Sequence, residues 1–471
     1  MESSPLERSL SLRGAVTLNL LDMIGVGPFI TLPLLLGAMG GPQAMLGWVL
    51  GACLAACDGL VWAELGAAMP EAGGTYKYLA EIFPGRWGRW LSFLFVFQLM
   101  FSAPLSVASG CIGLAQYAGF VWAGAANAAS VHALSYTIKA GSYSFGVTAG
   151  RGTAIAIAGV IVAVVLLYRK LARMRWIAAA MLAVVLATMA WAMLTGIVHG
   201  HWANIVAFPP DAWKLDGRFF SGLGAAMLIA TYDYWGYYNV TFLGGEVRNP
   251  GRTIPRAVLI SIAIVALLYL GLNASVLSVM GSPAILAARD VGARQALLAT
   301  MMQTAWGSLW LGKLAALLVM VTAFASVFSL LLGYSRIPFA AARDGNFPAA
   351  FGKLHPTRGF PYVSLLVLAG MACVFCFFSL GDVIAALVVL RICLQFGLQH
   401  VGVMVLRRRK PDMPRPFRLW LYPLPPILAL AGFTYIVISR PNFGREVILA
   451  AVVAALGTVV FAARRGMQAH G

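Results

Sequence analysis

Apolar runs of about 20 residues recur along this 471-residue chain, each long enough to cross a bilayer as a helix. That recurrence constrains the fold more than any motif, because inside hydrocarbon every backbone polar group needs a partner. Only 11% of the residues are charged, against roughly 25% in soluble domains. An integral membrane protein without a sizeable soluble domain is therefore expected. The net charge of +18 is read as that of a basic membrane protein, because lysine and arginine collect in cytoplasmic loops. No nucleic-acid partner is expected; the lipid bilayer is. Residues 1–13 are polar and carry no cleavage pattern of a secretory signal, so the first helix is expected to stay in the protein.

The runs delimit twelve segments, at 14–39, 43–69, 88–120, 152–168, 176–198, 218–246, 255–280, 309–341, 361–379, 383–406, 418–438 and 446–463. Twelve crossings put both termini on one side. About 24 of the basic residues fall on that side, including Arg169 to Arg175, Arg248 to Arg256 and Arg407 to Arg418, and about 9 fall opposite. The expected location is the cell membrane, with cytoplasmic termini.

Two segments are interrupted. The first reads "NLLDMIGVGPFITLP", with Gly25-Val26-Gly27-Pro28 at its middle, and the sixth breaks near Asp233 to Gly236. Corresponding interruptions in two halves of a transporter mark its binding site. The two lie five segments apart, so the second half enters the membrane inverted. The predicted division is a cytoplasmic tail at 1–13, a five-helix repeat at 14–198, an inverted five-helix repeat at 218–406, two appended helices at 418–463 and a second tail at 464–471.

Irregular backbone at membrane depth survives only where protein buries it or it lines a wet cavity. At the first break the glycines permit unwinding and Pro28 suits the first turn of a new helix. Free N–H groups and a positive dipole end there would suit a carboxylate. The carbonyls of the second break would suit an ammonium group or a cation. Together they read as a receptor for a zwitterion.

Ionisable residues inside the membrane are functional candidates by default. Asp22 and Asp233 flank the breaks, and either could hold an ammonium group or take up a coupling proton. Asp58 and Glu64 lie on segment two, and Glu64 is read equally as a gating residue or a loop anchor. Arg391, Gln395 and Gln399 form a polar stripe on segment ten. Arg391 calls for an anionic partner, which Asp22, Asp58 or Asp233 could supply. Tyr232 and Trp235 crowd the second break, where one could close over a substrate. The stretch from Pro283 to Trp306 is expected to form a short amphipathic helix lying as a lid over an extracellular vestibule.

The six cysteines lie in apolar segments and read as small hydrophobes. No metal-ligand set, cofactor site, nucleophile–base pair or phosphate loop is visible, so no enzyme is expected.

Four stretches carry a resemblance that covers essentially the whole chain. They are "GVGPFITLP" (Gly25–Pro33), "AELGAAMPEAGGTYKYL" (Ala63–Leu79), "GEVRNPGRTIPRA" (Gly245–Ala257) and "SRIPFAAARDGNFP" (Ser335–Pro348). In this order, within twelve helices, the pattern resembles the amino acid–polyamine–organocation (APC) superfamily. "GPF" at Gly27, "YW" at Tyr234 and "LRRRKPDMPRPFR" from Leu406 lean to a branch containing polyamine:proton symporters. That branch tends to carry acids near Gln395 and Gly236, and this chain has none there. A lysine that another proton-coupled branch carries on segment five is also absent.

The resemblance implies an all-α, LeuT-like 5+5 inverted repeat with helices 1 and 6 broken, and alternating access for amino acids or related amines. Gly25, Val26 and Gly27 would meet a substrate carboxylate. Tyr232, Asp233, Trp235 and Gly236 would line the site beside Asp22. Asp58, Glu64, Arg391 and Gln395 would serve coupling or gating, and Ser326 stands where sodium-coupled relatives place an oxygen ligand. The expected function is a secondary amino acid transporter coupled to protons rather than sodium. The alternatives are a polyamine:proton symporter or a non-transporting amino-acid receptor. Nothing in the sequence specifies an oligomeric state.

Overall fold

The first apolar run does not form one helix. In the computed structural model, which describes residues 6–123, 134–140, 143–169, 171–287, 296–379 and 381–469, α1 spans Leu12–Met23 and stops at Ile24. Its start is capped by the Ser11 hydroxyl, which accepts the Gly14 N–H at 3.4 Å. Gly25 and Val26 leave the helix, Gly27–Phe29 make a single tight turn, and α2 runs over Leu32–Met39. Pro33 thus sits in the first turn of the resumed helix, while Pro28 opens the tight turn before it.

The sixth run is divided in the same way. α8 (Gly217–Tyr234) is capped by Asp216, which accepts the N–H groups of Arg218 and Phe219 at 3.0 Å each. The Phe219 N–H, more than any other group, holds this exposed carboxyl below its ordinary range. The cap therefore contributes above the ordinary carboxylate range and is lost on acidification. The chain turns at Trp235 to Tyr238, overlapping the expected Asp233 to Gly236, and Asp233 itself stays in the last turn of α8. It then makes one helical turn, α9 (Asn239–Phe242).

The remaining helices are α3 (Met45–Ala68), α4 (Thr75–Ile82), α5 (Gly85–Ala123), α6 (Arg151–Leu167), α7 (Leu171–His199), α10 (Pro250–Met280), α11 (Ser282–Ala287) and α12 (Leu297–Trp306). They continue with α13 (Leu309–Tyr334), α14 (Arg336–Arg343), α15 (Tyr362–Phe375), α16 (Gly381–Arg391), α17 (Leu398–Arg409), α18 (Leu424–Ile438) and α19 (Phe443–Ala469). Among the described residues, seven helical stretches are long and apolar enough to cross a membrane: Pro42–Ala68, Gly85–Trp122, Met174–His199, Pro250–Met280, Leu309–Arg343, Leu387–Arg409 and Phe443–Arg464. Three shorter apolar helices, Arg151–Leu167, Tyr362–Phe375 and Leu424–Ile438, join them. The protein is a mostly helical, multi-pass membrane protein.

The chain also forms a small sheet, outside the helical pattern. β1 (Leu134–Ala140) pairs antiparallel with β2 (Tyr143–Ala149), Leu134 opposite Ala149, and β2 pairs with β3 (Phe378–Ser379). "SYTIK" and "YSFGVT" are too short to stand out against the apolar runs around them. In the stretch expected to be one lid helix, α11 and α12 are separate, and residues 288–295 lie outside the described residues. α12 buries Leu298, Met301 and Met302, and Trp306 donates to Thr195 Oγ1 at 3.1 Å.

α1 and the two breaks pack against α7, α10 and α13, with α3 against α8. Gly236 shows how tightly. Its φ is +126°, and an added Cβ would lie 2.7 Å from Met23 N and 2.9 Å from the Asp22 carbonyl carbon. Both atoms are backbone, so neither can move aside cheaply. Gly236→Ala is expected to destabilise the protein by more than about 1 kcal/mol. Gly370→Ala, mid-helix with nothing within 4 Å of the new methyl, should be neutral or slightly stabilising. Thermal unfolding of the purified variants in detergent checks the contrast, and equal melting temperatures would refute it.

Candidate functional site

The two interruptions meet face to face and are bonded to each other. Asn19, on α1, donates from Nδ2 to Tyr237 O at 2.6 Å, and its Oδ1 accepts the Val240 N–H at 3.0 Å. Tyr269, on α10, donates its hydroxyl to Met23 O at 2.6 Å and lies 3.3 Å from Asp233 O. From α13, Ser329 donates to Leu18 O at 2.7 Å and Ser326 to Asp22 O at 3.2 Å. Asn239 locks the other side by donating to Ser329 Oγ at 2.9 Å. Buried side chains thereby satisfy backbone groups near the points where the helices stop.

Some backbone donors are left over. The Gly25 N–H turns back onto Met23 O at 3.0 Å, while the N–H groups of Val26 and Gly27 find no acceptor among the described residues. A side chain at Gly27 would collide with the Asp233 carboxylate, which accepts the Thr31 hydroxyl at 2.7 Å. Asp233 therefore ties the second break to the resumed half of the first. Asp22 is buried, and its carboxylate accepts no hydrogen bond among the described residues.

Arg391 corrects one expectation. It was expected to pair with Asp22, Asp58 or Asp233, yet among the described residues no carboxylate lies within 4.0 Å of its guanidinium. Its Nε donates to Gln395 Oε1 at 2.8 Å, and its Nη2 donates to the hydroxyls of Tyr238 and Tyr334 at 2.6 and 3.0 Å. The faces of Trp235, Tyr238 and Tyr334 surround it, at 4.8, 5.6 and 5.8 Å from their centroids. Ring quadrupoles and neutral hydroxyls supply the direct contacts, while Asp22, one of the three expected partners, interacts with the guanidinium through charge without touching it. Trp235 stacks on Phe396, with centroids 4.9 Å apart. Tyr232 is the partly exposed aromatic of the group, 5.3 Å from Trp235. Beside it a pocket is lined by Ser102, Ser106 and Ser109 of α5, Leu387, Tyr232 and Arg391.

Asp58 and Glu64 occupy separate places. Glu64 accepts from Arg407 Nε at 2.9 Å and from the Leu419 N–H at 2.8 Å, and lies 3.5 Å from Arg415 Nε. It anchors the basic loop after α17. Asp58, fully buried, accepts the Tyr237 hydroxyl and lies 2.9 Å from His400 Nε2. His400 was not among the sequence candidates, since a lone histidine on an apolar helix carries no motif. Glu246 and Arg336 were also passed over, although both stand inside the quoted stretches. They pair at 2.8 Å, almost fully buried, and Arg336 donates further to Leu332 O at 3.0 Å. The co-occurrence of "GEVRNP" and "SRIPFAAARDG" was the signal that could have joined them.

A family profile described as amino acid permease matches residues 10–461. The serine/threonine exchanger SteT of Bacillus subtilis (strain 168) is 25% identical over 460 residues, which is 92% of this chain and 91% of the relative. Asc-type amino acid transporter 1 of Mus musculus is 25% identical over 452 residues, 93% of this chain and 77% of the relative. An uncharacterized transporter of Mycobacterium tuberculosis is 28% identical over 368 residues, 78% of this chain and 73% of the relative.

The Glu246–Arg336 pair generates a prediction. Removing one partner of a buried pair strands the other charge and costs roughly 3–5 kcal/mol. Glu246→Gln and Arg336→Gln should each lower thermal stability by that order, and the double variant by clearly less than the sum. A double-mutant cycle on melting curves measures the coupling. Strictly additive losses would mean that the two side chains act independently.

Proposed function

The chain belongs to the amino acid permease family of the APC superfamily, and on that premise we propose that it is a secondary transporter that carries amino acids by alternating access. It is a transporter and not an enzyme. The reading takes the fold as twelve crossings in a 5+5 inverted repeat, residues 14–198 and 218–406, with two helices appended at 418–463. Both termini lie on the cytoplasmic side of the cell membrane, where the basic loops concentrate.

The substrate sits where the two broken helices meet. Its carboxylate lies against Val26 and Gly27, whose N–H groups find no acceptor among the described residues. Its ammonium group faces Asp22, which accepts nothing else among the described residues. The side chain extends past Tyr232 into the pocket lined by serines and Arg391. Gly25 and Gly236 keep the floor thin, Asp233 holds the breaks in register, and Trp235 with Tyr232 closes over the site. The relatives named as a serine/threonine exchanger and an amino acid transporter agree with a zwitterionic substrate that carries a small side chain.

One observation carries the choice of amino acids over polyamines. The site combines N–H groups that find no acceptor among the described residues with the Arg391 guanidinium and the buried Asp22 carboxylate. Donors for a carboxylate beside an acid for an ammonium group suit a zwitterion, whereas a polyamine, which has no carboxylate, would leave the N–H groups unused. The coupling ion in this reading is a proton; the Ser326 hydroxyl donates to Asp22 O.

Uptake of labelled serine or alanine into proteoliposomes should be inhibited by unlabelled amino acids and left unaffected by putrescine. Inhibition by putrescine alone would overturn the reading. Asp22→Asn should raise the half-saturating concentration about tenfold or more, as expected for losing one charged hydrogen bond. An unchanged value would remove Asp22 from the site.

A further inference from the structure

Asp58 and His400 lie outside the substrate site, yet they form a buried contact between a carboxylate and an imidazole. Both residues are 0% exposed. His400 Nδ1 lies 2.6 Å from Phe396 O, one turn back on its own segment. A carbonyl only accepts, so Nδ1 carries a proton. Nε2 of the same ring lies 2.9 Å from Asp58 Oδ1. If the imidazole were neutral and the carboxylate charged, two lone pairs would face each other in a site without water contact. Nε2 and Oδ1 are without a hydrogen-bond partner among the described residues, and the 2.9 Å gap between them has room for one further proton. The other carboxylate oxygen, Oδ2, accepts the Tyr237 hydroxyl.

We infer that Asp58 and His400 form the proton-binding site of this transporter. The inference rests on the transporter reading above. When the proton leaves, Asp58 is left as a buried anion facing the lone pair of His400, an arrangement tolerated only if the neighbourhood rearranges. The first neighbour to respond is Tyr237, which follows Gly236 in the second break and whose carbonyl is held by Asn19 of the first helix. Proton occupancy is thereby wired to both interruptions through two hydrogen bonds. The remaining titratable and charged groups around the pair are few. Cys57 precedes Asp58 on α3, and Tyr238 lies with its ring 5.1 Å from that of Tyr237. Arg391 stands one layer further on, bonded to the Tyr238 hydroxyl. From α18 the pair is faced by Phe433, 5.7 Å from the His400 ring. Between Arg391 and His400 the segment makes a wide π-turn at Ile392–Gly397. Such turns add a residue to the helix and often occur at functional sites.

A purely structural pair would support folding and leave pH-driven transport intact, so the test separates drive from exchange. Wild-type protein, Asp58→Asn, His400→Gln and Asp58→Glu are reconstituted into proteoliposomes. Each is assayed for amino-acid counterflow at one fixed pH and for accumulation driven by an inward proton gradient. Wild-type protein should show both. Asp58→Asn and His400→Gln should lose accumulation about tenfold or more while keeping counterflow within a few-fold and retaining their melting temperature. Asp58→Glu, which restores a carboxylate, should recover part of the accumulation. If the variants keep gradient-driven accumulation, or lose counterflow and stability together, the inference is overturned. Wild-type counterflow without any gradient-driven accumulation would sink the proton site and leave the transporter standing. Absence of wild-type counterflow for every amino acid would sink the transporter reading and the inference with it.

Discussion

Backbone that leaves a helix in the interior of a membrane protein must find its hydrogen bonds elsewhere, and here each broken segment finds them in the other. Asn19 serves both Tyr237 O and Val240 N–H, Tyr269 bridges Met23 O and Asp233 O, and Ser329 joins Leu18 O to Asn239. Gly236 lets the two backbones touch. The interruptions are therefore one structure made of two distant stretches of chain. Anything that displaces one break displaces the other, which is what a transporter needs if one occupied site is to face two sides in turn.

Around this centre, charge is handled in three different ways. The Glu246–Arg336 pair, where the two quoted stretches meet, is a closed ion pair that fixes the loop after α9 to the start of α14. Glu64 gathers Arg407, Arg415 and a backbone N–H, and so ties α3 to the loop after α17. Arg391 makes no ion pair within 4.0 Å among the described residues and rests among aromatic faces and tyrosine hydroxyls. The first two arrangements are saturated and suit stability. The third leaves the guanidinium lining the pocket beside Tyr232.

Much of this was legible in the chain itself. Glycine and proline inside an apolar run announce an interruption whatever surrounds them, and the positions of both breaks were readable to within a few residues. Asp22 and Asp233 could be placed beside the breaks because three residues of helix span only about 4.5 Å. The partners were not legible. Arg391 was assigned a carboxylate because buried arginines usually have one, and aromatic dispersal of its charge depends on residues 57 to 156 positions away coming to one point. His400 carried no motif and was passed over, since its meaning comes from Asp58 on another helix.

By itself, then, the sequence determined that the chain lives in a bilayer as helices, where two of them stop, and which family it belongs to. These are consequences of local composition, backbone preference and short motifs, and they need no knowledge of neighbours. Only the tertiary structure decided which ionisable groups are paired, which are shielded and which are left open. Those outcomes turn on distances of a few ångströms between residues hundreds of positions apart, where the low dielectric of the interior makes small displacements decisive.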